Sequence, residues 1–171
     1  MSVDRLLDLI AWTFLFTTIT ALKYFEALFE NTVNGKSFVM YGAIYGVVCS
    51  VGFLFLLYKT NRKYFRGGEK RASAILSYFF GIVVLTLLAA AVYNIKTARK
   101  DLRLVQAVVV NKSKNVSYGT TYLTLQLKDR KERFNPTKEE WNRINERDTL
   151  YLEVGKGSLG YDYIFNFLAG D

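Results

Sequence analysis

The first half of the chain contains two long runs without a charged residue, at positions 38–58 and 72–95. A helix rises about 1.5 Å per residue, so each run makes a helix of roughly 30 Å, the thickness of the hydrocarbon core of a membrane. Between them, residues 59–71 are rich in lysine and arginine. This pattern predicts a helical hairpin that crosses a membrane.

A third apolar run at residues 6–22 is shorter and includes Asp8, Trp12 and several threonines. It lacks the basic start and small-residue cleavage site of a signal peptide, so we expect it to be retained. Two interpretations stay open at this point, a third span or a helix at the membrane interface. The helical region is therefore expected over residues 1–100, with two to three transmembrane helices.

From about residue 101 to residue 171 charged residues recur every few positions, as in a small water-soluble domain. A β-branched run at 104–110 predicts a strand, and a polar, turn-prone stretch follows at 111–120. In the next strand Leu123, Leu125 and Leu127 alternate with polar residues, which is typical of a half-buried strand. Residues 129–133 are interpreted as a charged turn.

The second half of this domain combines one short helix with two more strands. Thr137 and Glu140 have the spacing of a capping box, which predicts a helix from 138 to about 145. Alternation predicts further strands around residues 150–154 and 161–168. The expected fold is a membrane α-helical region followed by a small α+β domain, with a mostly antiparallel sheet or a partly open barrel and one short helix.

The net charge of +8 is concentrated beside the apolar runs. Residues 101–171 hold 11 Lys and Arg against 10 Asp and Glu, so this domain is almost neutral and nucleic acid is not an expected partner. The positive-inside rule places loop 59–71 inside and the C-terminal domain outside. The same cations are candidates for topology or for binding anionic lipid headgroups: Lys59, Arg62, Lys63, Arg66, Lys70 and Arg71.

Small residues recur at four-residue intervals in both long apolar runs. This spacing lets helix backbones approach closely in lipid. Two interpretations remain, packing of the two helices on each other or a face for oligomer or pore formation. The residues are Gly42, Gly46, Ser50, Ser73, Ser77 and Gly81.

The chain has no histidine and a single cysteine, Cys49. These counts exclude His-dependent catalytic triads, histidine-ligated metals and an internal disulfide. Gly155, Gly157 and Gly160 match G-x-G-x-x-G, but a strand-like aromatic segment follows instead of the helix that a dinucleotide site requires. We expect a hairpin turn or bulge there, and no cofactor, metal or catalytic residue is assigned.

The last strand carries large apolar groups on both faces. An edge strand of this kind must be covered. We therefore expect either that this strand lies centrally in the sheet, or that its second face meets the membrane, a second copy or a partner protein. The aromatic residues of this candidate partner surface are Tyr161, Tyr163, Phe165 and Phe167.

Residues 134–164 are predicted to form a strand, a capped helix containing an aromatic residue, and a second strand followed by K-G-x-L-G. This stretch resembles a small β module in uncharacterised bacterial membrane proteins. The resemblance implies a bacterial envelope protein and carries no activity with it.

The expected function is non-enzymatic. An integral membrane protein would display its β domain at the membrane surface for protein–protein contacts, as an envelope assembly subunit or an immunity or exclusion protein. We expect it in the bacterial inner membrane, with lipid and a second copy or an envelope protein as partners. The alternative is an oligomeric pore-forming or membrane-disrupting effector gated by its β domain. A membrane-embedded enzyme would depend on Asp8, since the long runs offer no other acidic or basic partner for a hydroxyl.

Overall fold

A computed structural model describes residues 3–66, 69–115, 119–128 and 130–169. The chain divides into two compact units. The helical unit comprises residues 1–26 and 39–90, and the sheet unit comprises residues 27–38 and 91–171. The segment between the first two helices therefore belongs to the sheet unit.

Long helices account for most of the first hundred residues. They are α1 (Val3–Glu30), α2 (Gly35–Thr60) and α4 (Glu69–Ala98), and a single turn, α3 (Arg62–Phe65), lies between α2 and α4. Among the described residues two helical segments are long and apolar enough to cross a membrane, Gly35–Thr60 and Arg71–Ala98. The two long helices predicted from the charge-free runs are thus confirmed, each a few residues longer at both ends.

The sheet unit contains five antiparallel strands in the order β3-β2-β1-β4-β5. They are β1 (Leu102–Lys114), β2 (Thr121–Leu127), β3 (Arg130–Phe134), β4 (Thr149–Lys156) and β5 (Asp162–Ala169), with the short helix α5 (Lys138–Arg143) between β3 and β4. β4 returns to lie beside β1, which makes the first four strands a Greek key. The predicted antiparallel sheet with one short helix is confirmed, and the sheet is open by its strand pairing.

The core of the sheet unit comes from the alternating strands. Leu123 and Leu125 of β2 are fully buried, as are Leu150 and Leu152 of β4. The capping box at the start of α5 is present as predicted: the Thr137 hydroxyl accepts from the backbone N–H of Glu140, and the Glu140 carboxylate accepts from the backbone N–H of Thr137.

Two expectations about turns were wrong. Residues 130–133, interpreted as part of a charged turn at 129–133, belong to strand β3, because they pair with β2 and lead to the buried Phe134 at the end of the strand. Charged side chains are tolerated there since β3 lies at the edge of the sheet. Residue 129 lies outside the described residues. Residues 111–114, interpreted as turn-forming, extend β1, because a bulge between Val109 and Asn111 lets them pair with the start of β2.

The two edge strands of the sheet are both contacted by the segment between α1 and α2. Val33 N–H donates to the carbonyl of Asp162, and Ile164 N–H donates to the carbonyl of Asn31, each at 2.9 Å. On the other edge, Asn135 N–H donates to Asn31 Oδ1 at 3.2 Å. The segment 31–34 therefore bridges β5 and the end of β3, and Val33 enters the core. The sheet itself stays open, because β3 and β5 are its two edges and do not pair with each other.

Candidate functional site

The small residues of α2 lie against α4. A Cβ placed on Gly46 would be 2.8 Å from Val83 Cα, so the two backbones are in close contact. Ser50 donates to the carbonyl of Phe79 across the same seam at 3.0 Å, besides bonding to its own helix. Gly42 lies against Leu87. This stripe is thus occupied by a neighbouring helix of the same chain.

The small residues of α4 are not equivalent to one another. Gly81 lies against the ring of Phe14 from α1. Ser77 is buried and donates to the carbonyl of Ser73, while Ser73 itself is exposed. The four-residue spacing in α4 therefore does not form one continuous contact with a single helix.

A polar cluster joins the start of α1 to the α3 turn and the start of α4. Tyr64 is 1% exposed, and its hydroxyl donates to Asp8 Oδ1 at 2.7 Å. Arg71 pairs with Asp4 at 2.6 Å and donates to the backbone carbonyl of Tyr64 at 3.0 Å. Burial, and then the hydrogen bond to Asp8, raise the pKa of Tyr64. The cluster holds the loop between the long helices against α1.

This cluster separates the loop cations into two groups. Arg71 belongs to the cluster, whereas Arg62, Lys63 and Arg66 are exposed. Lys59 and Arg62 lie over the rings of Phe55 and Tyr58, at 5.1 Å and 6.0 Å from the ring centroids. The side chain of Lys70 lies outside the described residues.

Large apolar side chains cover the outside of the helical unit. Phe16 of α1 is 75% exposed, and Tyr45 and Val48 of α2 are 71% and 65% exposed. Phe80 of α4 is also exposed. Exposed apolar area on this scale is typical of a surface that meets lipid or another protein.

The four aromatic residues expected on a partner surface are divided by the structure. Phe167 lies in the core of the sheet unit, 3% exposed. Tyr161 packs edge-on against Phe38, with ring centroids 4.9 Å apart. Tyr163 packs against Phe165, and Arg99 lies over the Phe165 ring at 5.7 Å. Phe167 therefore cannot bind a partner, and the other three are half-buried against residues of the same chain.

The cover on β5 comes from residues that sequence reasoning did not single out. Segment 31–33 pairs with its free edge, and Asn31 also bonds to the Tyr163 side chain. Burial raises the pKa of Tyr163, while that hydrogen bond opposes the shift. The signal available in the sequence was Asn31 itself, a residue able to satisfy backbone and side-chain groups, placed directly after a helix.

The end of α4 holds the turn between β4 and β5. Asn94 is 1% exposed; its Nδ2 donates to the Tyr161 carbonyl at 3.0 Å, and its Oδ1 accepts from Leu159 N–H at 3.2 Å. The Thr97 hydroxyl accepts from Ser158 N–H at 2.9 Å. A polar Asn near the end of an otherwise apolar run was the signal for this contact.

The glycines of the G-x-G-x-x-G match serve this contact and the turn. A Cβ on Gly155 would overlap the carbonyl of Ala98, and one on Gly157 would overlap the Asn94 side chain. Gly160 has φ 84°, in the left-handed region that favours glycine. Gly157 and Gly160 lie in a hairpin turn, as expected from the residues that follow them, and Gly155 lies in β4 just before it.

The first half of β1 has a strand on one side only within the described residues. β1 pairs with β4 over Leu102–Val108 and with β2 only over Val108–Lys114. Residues 102–107 therefore have β4 on one side and an uncovered edge on the other. The outward side chains of Leu104 and Val108, on either side of Gln106, are 64% and 41% exposed. Sequence reasoning interpreted 104–110 as a strand but did not identify this edge, because pairing extent is not a local property.

No cluster of three or more His, Cys, Asp or Glu residues that could hold a metal occurs in the described ranges. Cys49 is exposed on α2 and unpaired. No protein-family model, curated protein or solved structure matches the chain.

Proposed function

We propose that this chain is a non-enzymatic integral membrane protein whose helical unit anchors the sheet unit at the membrane surface for protein–protein contacts. The observation that carries the anchoring is the exposed apolar surface of the helices together with their length. Phe16 and Tyr45 are each more than 70% exposed. Burying such side chains in lipid is favourable by about 1.5–3 kcal/mol for each large side chain.

The hydroxyl groups of the helical unit support a role without catalysis. Thr13, Thr17 and Thr20 bond to carbonyls of α1, and Ser77 bonds to a carbonyl of α4. Such bonds satisfy each hydroxyl locally and do not activate it as a nucleophile. Asp8, the one acidic candidate for a membrane enzyme, accepts the Tyr64 hydroxyl instead.

We favour an anchor over a pore because the small-residue positions are occupied within the chain. Gly46 contacts Val83 and Gly81 contacts Phe14. A pore built on these faces would have to replace those contacts with contacts between copies. The sheet unit, in contrast, presents an uncovered strand edge and exposed apolar side chains, which suit contacts with another protein.

For the orientation, we propose that loop 59–71 faces the cytoplasm and that segment 31–34 and the C-terminal domain face outward in a bacterial inner membrane. Segment 31–34 bonds to β5, so both belong on one side. Lys96, Arg99, Lys100 and Arg103 would oppose this orientation. Arg103 pairs with Asp162 and Arg99 lies on Phe165, so two of these cations are used in the fold of the sheet unit.

The test is topology in bacterial cells. A reporter active only outside the cytoplasm and a second active only inside are each fused after Asp171 and, separately, within loop 59–71. We expect outside activity at Asp171, inside activity in the loop, and retention in the membrane after alkaline carbonate extraction. Release by carbonate would contradict the anchor. Inside activity at Asp171 would contradict the displayed domain and favour the effector gated from the cytosol.

Contacts with another protein are tested separately from topology. The full chain, purified in mild detergent after cross-linking in cells, is expected to carry a stoichiometric membrane or envelope protein. A protein with the expected orientation that is monomeric and carries no such component would contradict the display function while leaving the anchor intact.

A further inference from the structure

The uncovered edge of β1 exposes backbone groups of the sheet unit in the described residues. Over Leu102–Ala107 the strand has β4 on one side only, because its pairing with β2 begins at Val108. At about 3.3 Å per residue this edge is roughly 20 Å long. Unpaired strand edges of this length are templates for another strand.

The direction of the backbone groups follows from the ladder. Val109 N–H donates to the Asp148 carbonyl at 3.0 Å, on the side of β4. In an antiparallel ladder successive residues direct their N–H and C=O groups to opposite sides. Val105 and Ala107 therefore bond toward β4, whereas Leu104 and Gln106 direct donors and acceptors toward the uncovered edge. An extended peptide satisfies both kinds of group, whereas a lipid chain satisfies neither.

A cavity of about 1130 Å³ lies along this edge. Its lining combines apolar side chains, namely Val33, Val105, Ala107, Leu127, Leu152 and Ile164, with polar and charged ones. Alternate side chains of an added strand would face this cavity, and the others would lie beside the exposed Leu104 on the outer face. The edge and the cavity thus fit an extended segment with alternating apolar residues.

The charged side chains around the cavity are two ion pairs and one exposed lysine. Arg103 and Arg130 pair with Asp162 and Glu132 at 2.6 Å and 3.0 Å. Lys128 is exposed and makes no salt bridge in the described part of the chain. A segment with an acidic residue at one end would complement Lys128.

We propose that the β1 edge at residues 102–107 binds an extended, acidic-flanked segment of a partner protein by strand addition. This inference rests on the proposed display function and specifies its binding site. The added segment lies between β1 and the hairpin of β2 and β3.

The test uses the full chain in nanodiscs and a phage library of random nine-residue peptides. We expect enrichment of peptides that alternate apolar and polar residues and end in Asp or Glu. Synthetic copies of the enriched sequences are then measured by fluorescence anisotropy. Gln106→Pro removes a donor from the uncovered edge without removing a bond to β4, so binding is expected to weaken at least tenfold. The matched Gln106→Ala variant keeps the N–H and should bind within twofold of the unaltered chain.

Hydrogen exchange in the unaltered protein keeps the test independent of how well the proline variant folds. The amides of Leu104 and Gln106 should exchange fast in the free protein and at least tenfold slower with peptide bound. Slow exchange in the free monomer would overturn the proposal, and slow exchange with a dimer mass would assign the edge to a second copy instead. An absence of enriched peptides, or equal binding to Gln106→Pro and Gln106→Ala, would also overturn it.

Failure here is distinguishable from failure of the proposed function. Topology reporters and carbonate extraction do not depend on the β1 edge. A correctly oriented protein that carries a partner but binds no strand peptide would use another surface of the sheet unit.

Discussion

Gly157 lies directly against the side-chain amide of Asn94, so closely that a Cβ at position 157 would overlap it. Asn94 is buried and bonds to the backbone of Leu159, within the turn that follows Gly157, and of Tyr161, directly after it. The end of α4 and the β4–β5 hairpin are therefore joined through one buried amide. The absence of a side chain at position 157 is what allows this contact.

Removing either member of this pair should destabilise the sheet unit. Asn94→Ala leaves backbone groups of the turn without partners, at a cost of about 1–3 kcal/mol in the free energy of unfolding. Gly157→Val should cost at least as much, because the added atoms displace the amide. Thermal unfolding in detergent, followed by circular dichroism, measures both. Ser158→Ala is the control, since only the backbone N–H of Ser158 bonds to Thr97; an equal loss in that variant would contradict the assignment.

Two glycines of α2 offer a matched comparison of helix packing. Gly46 is pressed against the backbone of Val83, whereas nothing lies within 4 Å of a Cβ on Gly52. Gly46→Leu should separate α2 from α4 and lower the midpoint of thermal unfolding, while Gly52→Leu should leave it nearly unchanged. The comparison is made by size-exclusion chromatography of heated, detergent-solubilised protein. Equal tolerance of both substitutions would argue against the α2–α4 seam.

The Tyr64 hydroxyl predicts a loss of stability in alkali. Its pKa is raised above the ordinary value of 10.0 by burial and by the hydrogen bond to Asp8. Because the folded state binds this proton more tightly than the unfolded state, the protonated hydroxyl contributes to the free energy of unfolding. That contribution is complete below pH 10, the pKa of the unfolded state, and is lost as the pH rises toward the higher pKa of the folded state. Tyr64→Phe should remove the part of the alkaline loss of stability that comes from this hydroxyl. At neutral pH it should lower the free energy of unfolding by about 1–2 kcal/mol. Urea unfolding at pH 8 and pH 11 tests it, and an unchanged difference between the two pH values would refute it.

Val33 should behave as a core residue of the sheet unit despite its position between two helices. It is 9% exposed and packs with the strand residues. Val33→Asp places a charge in that core and should unfold the sheet unit or cost more than about 3 kcal/mol. Lys36→Asp, at an exposed site in the first turn of α2, should be tolerated. Protease sensitivity of the sheet unit distinguishes the two, and resistance of Val33→Asp would show that segment 31–34 is not part of the core.

The described fold follows from the sequence where the deciding interactions are local. The charge-free runs predicted α2 and α4, alternation predicted the inward leucines of β2 and β4, and Thr137 with Glu140 predicted the start of α5. The turns at 111–114 and 130–133 were misread because their polar residues lie in strands whose pairing partners are distant in the chain. The hydrophobic pattern of a short edge strand does not carry that information.

By itself, the sequence determined that this protein has two apolar helices long enough to cross a membrane, a cationic loop between them and a small sheet domain, because periodicity and charge act over neighbouring residues. Only the tertiary structure decided how those surfaces are used. It placed segment 31–34 across the edges of the sheet, set Asn94 into the β4–β5 turn, buried Phe167, and left residues 102–107 of β1 without a neighbouring strand. These outcomes depend on backbone hydrogen bonds and close packing between distant residues. The side-chain pattern marks Asn31 and Asn94 as polar residues in need of partners, but it does not say which distant groups those partners are.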